Sequence, residues 1–164
     1  MAKLKIGNRY ISNLKFSDMI FEIYVTGENK QFDFLITKNQ SYIGTIEWGD
    51  GTTDIINESN VSEDSYINHS YSADGTYIIK VKSNKWDTLD FSQNNSNNVS
   101  YSKIRKVLSW GKYNNLISIN FQKSSINDIP NECNALNIVS DDINGAFKGT
   151  SVENDERLNC ASKL

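Results

Sequence analysis

Thr45-Ile-Glu-Trp-Gly-Asp-Gly-Thr52 is the stretch whose reading decides the fold. The run that leads into it, Tyr42-Ile-Gly-Thr-Ile-Glu-Trp48, places Tyr42, Gly44, Ile46 and Trp48 on one face. A period of two is the signature of a strand with one buried side. Gly49-Asp-Gly51 then breaks the strand. Glycines reach backbone angles that a Cβ resists, and an aspartate between them can hydrogen-bond the turn. Thr52-Thr-Asp-Ile-Ile56 resumes the extended pattern.

Working outward, the first ninety residues read as successive strands. Met19-Ile-Phe-Glu-Ile-Tyr-Val-Thr26 is apolar and β-branched, and Gly27-Glu-Asn29 ends it. Gln31-Phe-Asp-Phe-Leu-Ile-Thr37 begins by alternating polar and aromatic residues. These two runs flank a short turn signal and predict a hairpin. Downstream, Asn57 to Asn68 is polar and acidic and reads as a surface loop, with Glu58, Glu63 and Asp64 on a solvated face. Gly75 precedes Thr76-Tyr-Ile-Ile-Lys-Val-Lys82, the clearest strand in the chain. Strands recurring at intervals of roughly 8–15 residues argue for a sandwich rather than βαβ units.

Ser92-Gln-Asn-Asn-Ser-Asn-Asn-Val-Ser100 is a polar, low-complexity stretch that reads as a linker or a long loop. It divides the chain into residues 1–91, a β-sandwich, and residues 101–164, which have a different rhythm. There Asn115-Leu-Ile-Ser-Ile-Asn-Phe121 and Ser125-Ile-Asn-Asp-Ile-Pro130 precede Ala135-Leu-Asn-Ile-Val139 and Ala146-Phe-Lys-Gly-Thr-Ser-Val152. Leu116 and Leu136 are 20 residues apart, Ile126 and Val152 are 26, and Cys133 and Cys160 are 27. Such spacings fall in the range of leucine-rich repeats. About three repeats are needed for a stable array, and barely two are present. The expectation is a fragment of a longer protein, or a short array capped by the sandwich.

The three segments around Trp48 resemble a known pattern. Trp48-Gly-Asp-Gly-Thr52, then His69-Ser-Tyr71, then Gly75-Thr-Tyr-Ile-Ile79 occur in the order found in PKD (polycystic kidney disease) domains, over roughly residues 15–90. The resemblance implies an immunoglobulin-like sandwich of two antiparallel sheets, with Trp48 at its centre and His69 in a structural position at the start of a strand. Lys106-Val-Leu-Ser-Trp-Gly111, the Leu116 unit and Gly145-Ala-Phe-Lys-Gly-Thr150 are similar to leucine-rich repeats of bacterial surface and phage proteins, in which such a sandwich often precedes the array. The fold expected is therefore mainly β: a PKD/Ig-like antiparallel β-sandwich with an irregular leucine-rich-repeat-like C-terminal extension.

Composition limits the chemistry. The chain has 164 residues, 17 basic and 20 acidic side chains, and a net charge of −3. The densest basic stretch, Lys103-Ile-Arg-Lys106, is too short to track a phosphate backbone, so nucleic acid is not an expected partner. Asp50 and Asp54, near Glu47, offer the oxygens a calcium ion takes, but their spacing is not that of an EF-hand, and Asp50 as a turn former is the plainer reading. His69 is the sole histidine, which removes any multi-histidine metal site. No nucleophile elbow, phosphate loop or zinc-protease motif occurs, and no carboxylate pair stands out, so the chain reads as a non-enzyme that needs no cofactor. Cys133 and Cys160 fit either a disulfide or two thiols. Trp86, Trp110 and Tyr113 are candidates for a sugar-stacking surface; core packing where sandwich meets repeats is the reading we favour for them.

No stretch is long and apolar enough for a bilayer-spanning helix. Met1 to Arg9 is polar and charged and does not read as a secretory signal. A processed leader aside, the expectation is a protein that stays where it is made or leaves by assembly or lysis. Together with the resemblance, this points to a structural and interaction protein of a phage virion, capsid- or tail-associated, serving assembly or host adhesion. The alternative is a carbohydrate-binding or adhesin module of a bacterial surface or secreted protein. Partners would then be proteins of a larger assembly or a surface glycan. An aromatic-rich edge strand leaves homo-oligomers open.

Overall fold

The computed structural model describes residues 4–6, 9–11, 18–36, 44–56, 65–83, 88–93, 99–111, 118–131 and 143–160. The fold is mainly β. Its centre is a five-stranded antiparallel sheet in the order β10-β3-β8-β5-β6. These strands are β3 (Met19–Val25), β5 (Gly44–Glu47), β6 (Thr53–Ile56), β8 (Gly75–Ser83) and β10 (Ile104–Trp110). A second antiparallel pair joins β4 (Gln31–Ile36) to β7 (Ser65–Ser70). Near the N-terminus β1 (Leu4–Ile6) pairs with β2 (Arg9–Ile11).

Alternation along the central strands separates a dry face from a wet one. Met19, Phe21, Ile23 and Val25 of β3, Ile79 and Val81 of β8 and Ile46 of β5 are all fully buried. Each such side chain contributes about 1.5–3 kcal/mol when removed from water. The intervening residues include charged cross-strand pairs: Lys80 and Lys82 reach Glu47 at 3.1 and 2.9 Å, and Lys106 reaches Glu22 at 3.1 Å. The β4–β7 pair packs on the dry face through Phe34, whose ring lies 6.2 Å from that of Phe21 and 5.5 Å from that of Phe91. Phe32 also meets Phe91, at 5.9 Å.

Two sequence expectations change here. The runs at 19–26 and 31–37 do not form a hairpin, because β3 pairs with β8 and β10 while β4 pairs with β7. The connection between them crosses from one sheet to the other and is fastened by Asp74, which accepts from the Thr26 hydroxyl at 3.0 Å and pairs with Lys30 at 3.1 Å. The reading of residues 57–68 as a loop also ran too far. Ser65–Ser70 is a strand, and its polar residues are used internally: Asn68 donates to Asp33 at 2.6 Å. Residues 57–64 lie outside the described residues.

The stretch 92–100 is flanked by buried positions. Ser92 and Ser100 are both buried, and Ser100 Oγ accepts from the Asp33 amide at 2.6 Å. Val99–Ser102 is a 3-10 turn that leads into β10, so residues 101–164 supply an edge strand of the central sheet. One apolar core runs from Met19 to Leu158.

Beyond that sheet the chain stacks in parallel. β9 (Thr88–Asp90) pairs in parallel with β11 (Ser118–Asn120). The stack continues as Phe91 and Gln93 donate to the Asn120 and Gln122 carbonyls, at 2.7 and 3.0 Å. Phe121 and Lys123 donate in turn to the carbonyls of Ala146 and Lys148, at 2.6 and 2.9 Å, beside the short helix α1 (Ile143–Ala146). Side chains repeat with the backbone. Asp90 accepts from the amide of Ser92 and Asn120 from that of Gln122, each two residues on. Phe121 sits between Phe91, at 5.5 Å, and Phe147, at 5.2 Å and 4° from parallel. A second flank runs along β10, where Ser125, Asn127 and Asp128 bond to Tyr101, Arg105 and Val107.

Candidate functional site

The corner after β5 gathers the three sequence segments that carried the resemblance. Gly49 and Gly51 have φ of 86° and 96°, a region that L side chains rarely enter. Trp48 donates its amide to the Thr52 carbonyl at 3.1 Å and closes the turn. Asp50 Oδ1 accepts from the Thr52 amide at 3.0 Å and from the Thr52 hydroxyl at 2.6 Å. The turn also lies hard against β8: a Cβ on Gly49 would come within 2.7 Å of the Ile78 carbonyl oxygen.

Around this turn the polar atoms are spent on one another. Trp48 is fully buried, and its indole N–H donates to Asp54 at 2.8 Å. Its carbonyl accepts from the Tyr71 hydroxyl at 2.9 Å. His69, on β7, stacks on the Trp48 ring at 4.7 Å and 8°, and its Nε2 lies 2.7 Å from Asp50 Oδ2. Tyr71 meets His69 edge-on at 4.7 Å, and Tyr77 of β8 stacks on Tyr71 at 4.0 Å. The Tyr77 hydroxyl in turn donates to the Ala73 carbonyl at 2.9 Å. Four aromatic rings thus brace the turn between β5 and β6 to β7 and β8.

The electrostatics follow from this geometry. Burial works to raise the Asp50 carboxyl, but the Thr52 hydroxyl and amide and His69 outweigh it and hold the group down at about 2. Burial pushes the Tyr71 phenol up, reinforced by the charge of Asp50, so the hydroxyl stays protonated and donates to Trp48. Hydrogen bonds from Lys82 and then Lys80 hold Glu47 below its ordinary value. The three carboxylates weighed as calcium ligands therefore face different ways: Asp50 to Thr52 and His69, Asp54 to Trp48, Glu47 to two lysines. Among the described residues no three of His, Cys, Asp and Glu converge as a metal site. No described helix is long and apolar enough to cross a membrane.

The sugar-stacking candidates fare unevenly. Trp110 ends β10 with only 3% of its surface exposed, and its ring meets Phe121 and Phe147 edge-on at 6.2 and 6.4 Å. A ring so enclosed offers no face to a ligand and serves as core packing. Trp86 and Tyr113 lie outside the described residues, as does Cys133. Sequence reasoning found Trp48, Asp50 and His69 but not the role of Asp54, which it weighs only as a calcium-ligand candidate and which accepts from the Trp48 indole N–H. It also missed Phe91 and Phe147 as partners of Phe121, although an aromatic following a short extended run at 91, 121 and 147 is a signal for it. No protein-family model, curated protein or solved structure matches this chain.

Proposed function

We propose that this chain is a non-enzymatic structural and interaction protein. In this reading a PKD-like, immunoglobulin-like sandwich leads into a short leucine-rich-repeat-like array, and the protein serves as a phage virion surface component in assembly or host adhesion. The observation that carries it is the corner at Trp48. Asp50, Thr52, His69, Tyr71 and Trp48 consume one another's hydrogen-bonding groups, which suits a brace and leaves a reaction little to work with. The parallel rungs at Phe91, Phe121 and Phe147 support the repeat half of the reading, since stacked units bury a continuous apolar row.

The test is quantitative mass spectrometry of purified phage particles and of cell-surface and medium fractions from the native source. Co-purification with particles at a fixed copy number is expected. Recovery only from cell surfaces or medium would overturn the virion reading and bring forward glycan adhesion. A glycan array would then compare the protein with Trp86→Ala and Tyr113→Ala variants. Trp110→Ala is unsuitable for that purpose, because it would open the core.

A further inference from the structure

Lys103 immediately precedes β10, with 7% of its surface exposed. A buried ammonium is costly unless it is paired. Its described hydrogen-bond partners are amide oxygens rather than carboxylates. Nζ donates to the Gln31 carbonyl and lies 3.4 Å from Asn29 Oδ1. The buried Asp33 acts on it through its charge, while Asp33 Oδ1 accepts from the Gln31 and Asn68 side-chain amides at 2.5 and 2.6 Å. Burial outweighs the pull of Asp33 and pushes the lysine below its ordinary value, which makes the ammonium easier to deprotonate.

The facing amide is fixed in place by a second donor. Asn29 Oδ1 accepts from the Gln31 backbone N–H at 3.0 Å. A fixed donor on a carbonyl oxygen stabilises the charge that grows there when the carbon is attacked. That carbon is one carbonyl bond, about 1.23 Å, from Oδ1, so it lies within roughly 4.6 Å of Nζ. Attack geometries begin near 3–3.5 Å, so a side-chain shift of about 1 Å brings the two together. Asn29 is exposed, which gives a released small molecule a way out.

We propose that Lys103 and Asn29 form an intramolecular isopeptide bond, a self-made crosslink between the β3–β4 connection and the residue that precedes β10. The Nζ–Cγ bond forms and the Cγ–Nδ2 bond breaks. The departing nitrogen takes two of the three protons of the lysine ammonium and leaves as an ammonium ion, so atoms and charge balance with no further reagent. Asp33 is the buried carboxylate whose charge acts on Lys103 as the protons are handed over. The product would tie together positions 74 residues apart in the chain.

Intact-mass measurement of the purified, folded full chain tests this. The expected mass is below that of the sequence by one ammonia, and digestion should release a branched peptide containing both Asn29 and Lys103. Asn29→Ala and Lys103→Arg should each restore the full mass. The exposed Asn29→Ala change should also leave the far-ultraviolet circular dichroism unaltered, which separates loss of the bond from loss of the fold. Asp33→Asn should slow the appearance of the lighter species. The proposal is overturned by a full sequence mass in the folded wild type. It is equally overturned by a mass loss that survives Lys103→Arg, because that would mark cyclisation of an asparagine on its own backbone.

Discussion

Two glycines flank Asp50 with similar backbone angles, yet their surroundings differ. A side chain on Gly51 would meet open space, whereas one on Gly49 would strike the backbone of Ile78. Gly51→Ala should therefore cost about 1–2 kcal/mol, the strain of a left-handed residue. Gly49→Ala should cost more, at least ~3 kcal/mol, since β8 must also move. Urea titration of both variants reads the difference directly. Asp50 itself makes a pH-dependent contribution. Its folded carboxyl sits at about 2, below the ordinary 3.8, so its stabilisation is complete above that ordinary value and fades as pH falls through 2. Asp50→Asn should lower the melting temperature at pH 6, and the gap from wild type should narrow between pH 4 and 2. A gap that stayed constant over that range would show that the charge is not what holds the turn.

At the scale of elements, Phe91, Phe121 and Phe147 form a buried aromatic row across the parallel rungs. Phe121 is fully buried and also touches Trp110, so it joins the rungs to β10. Phe121→Ala should cost about 3–5 kcal/mol, as a large side chain deleted from a packed interior does. The denaturation midpoint should fall with little change in slope; a loss under about 1 kcal/mol would mean the rungs do not share the core. The rungs are only half legible in the sequence. Ile126 and Val152, 26 residues apart, are both buried. The first rung, at Thr88–Asp90, precedes the polar stretch at 92–100, and three residues of strand carry too little periodicity to declare their partner.

For the whole molecule, β10 and the core bear on where the chain divides. β10 completes the sheet that β3 begins, and Phe91 touches Phe21, Phe34 and Phe121. Residues 1–91 alone would uncover the β10-side edge of β3 and one side of Phe91. That fragment should fail to fold, and the full chain should unfold in a single step by circular dichroism and tryptophan fluorescence. Two separated transitions, or a folded 1–91 fragment, would show that the two halves are independent.

The sequence by itself determined the mainly β class, the strands at 19–25, 31–36, 44–47, 53–56 and 75–83, and the turn at Gly49-Asp50-Gly51. These rest on period-two alternation and on backbone angles that glycine alone enters easily, and both are local. Tertiary structure decided the rest. It separated β3 from β4, recruited the polar strand at Ser65–Ser70, and turned Trp110 into the core. It also set a buried lysine beside an asparagine from a distant turn. Each of these depends on partners far along the chain. Burial of a polar strand or an amine is settled by the groups that fold against it, and alternation carries no record of them.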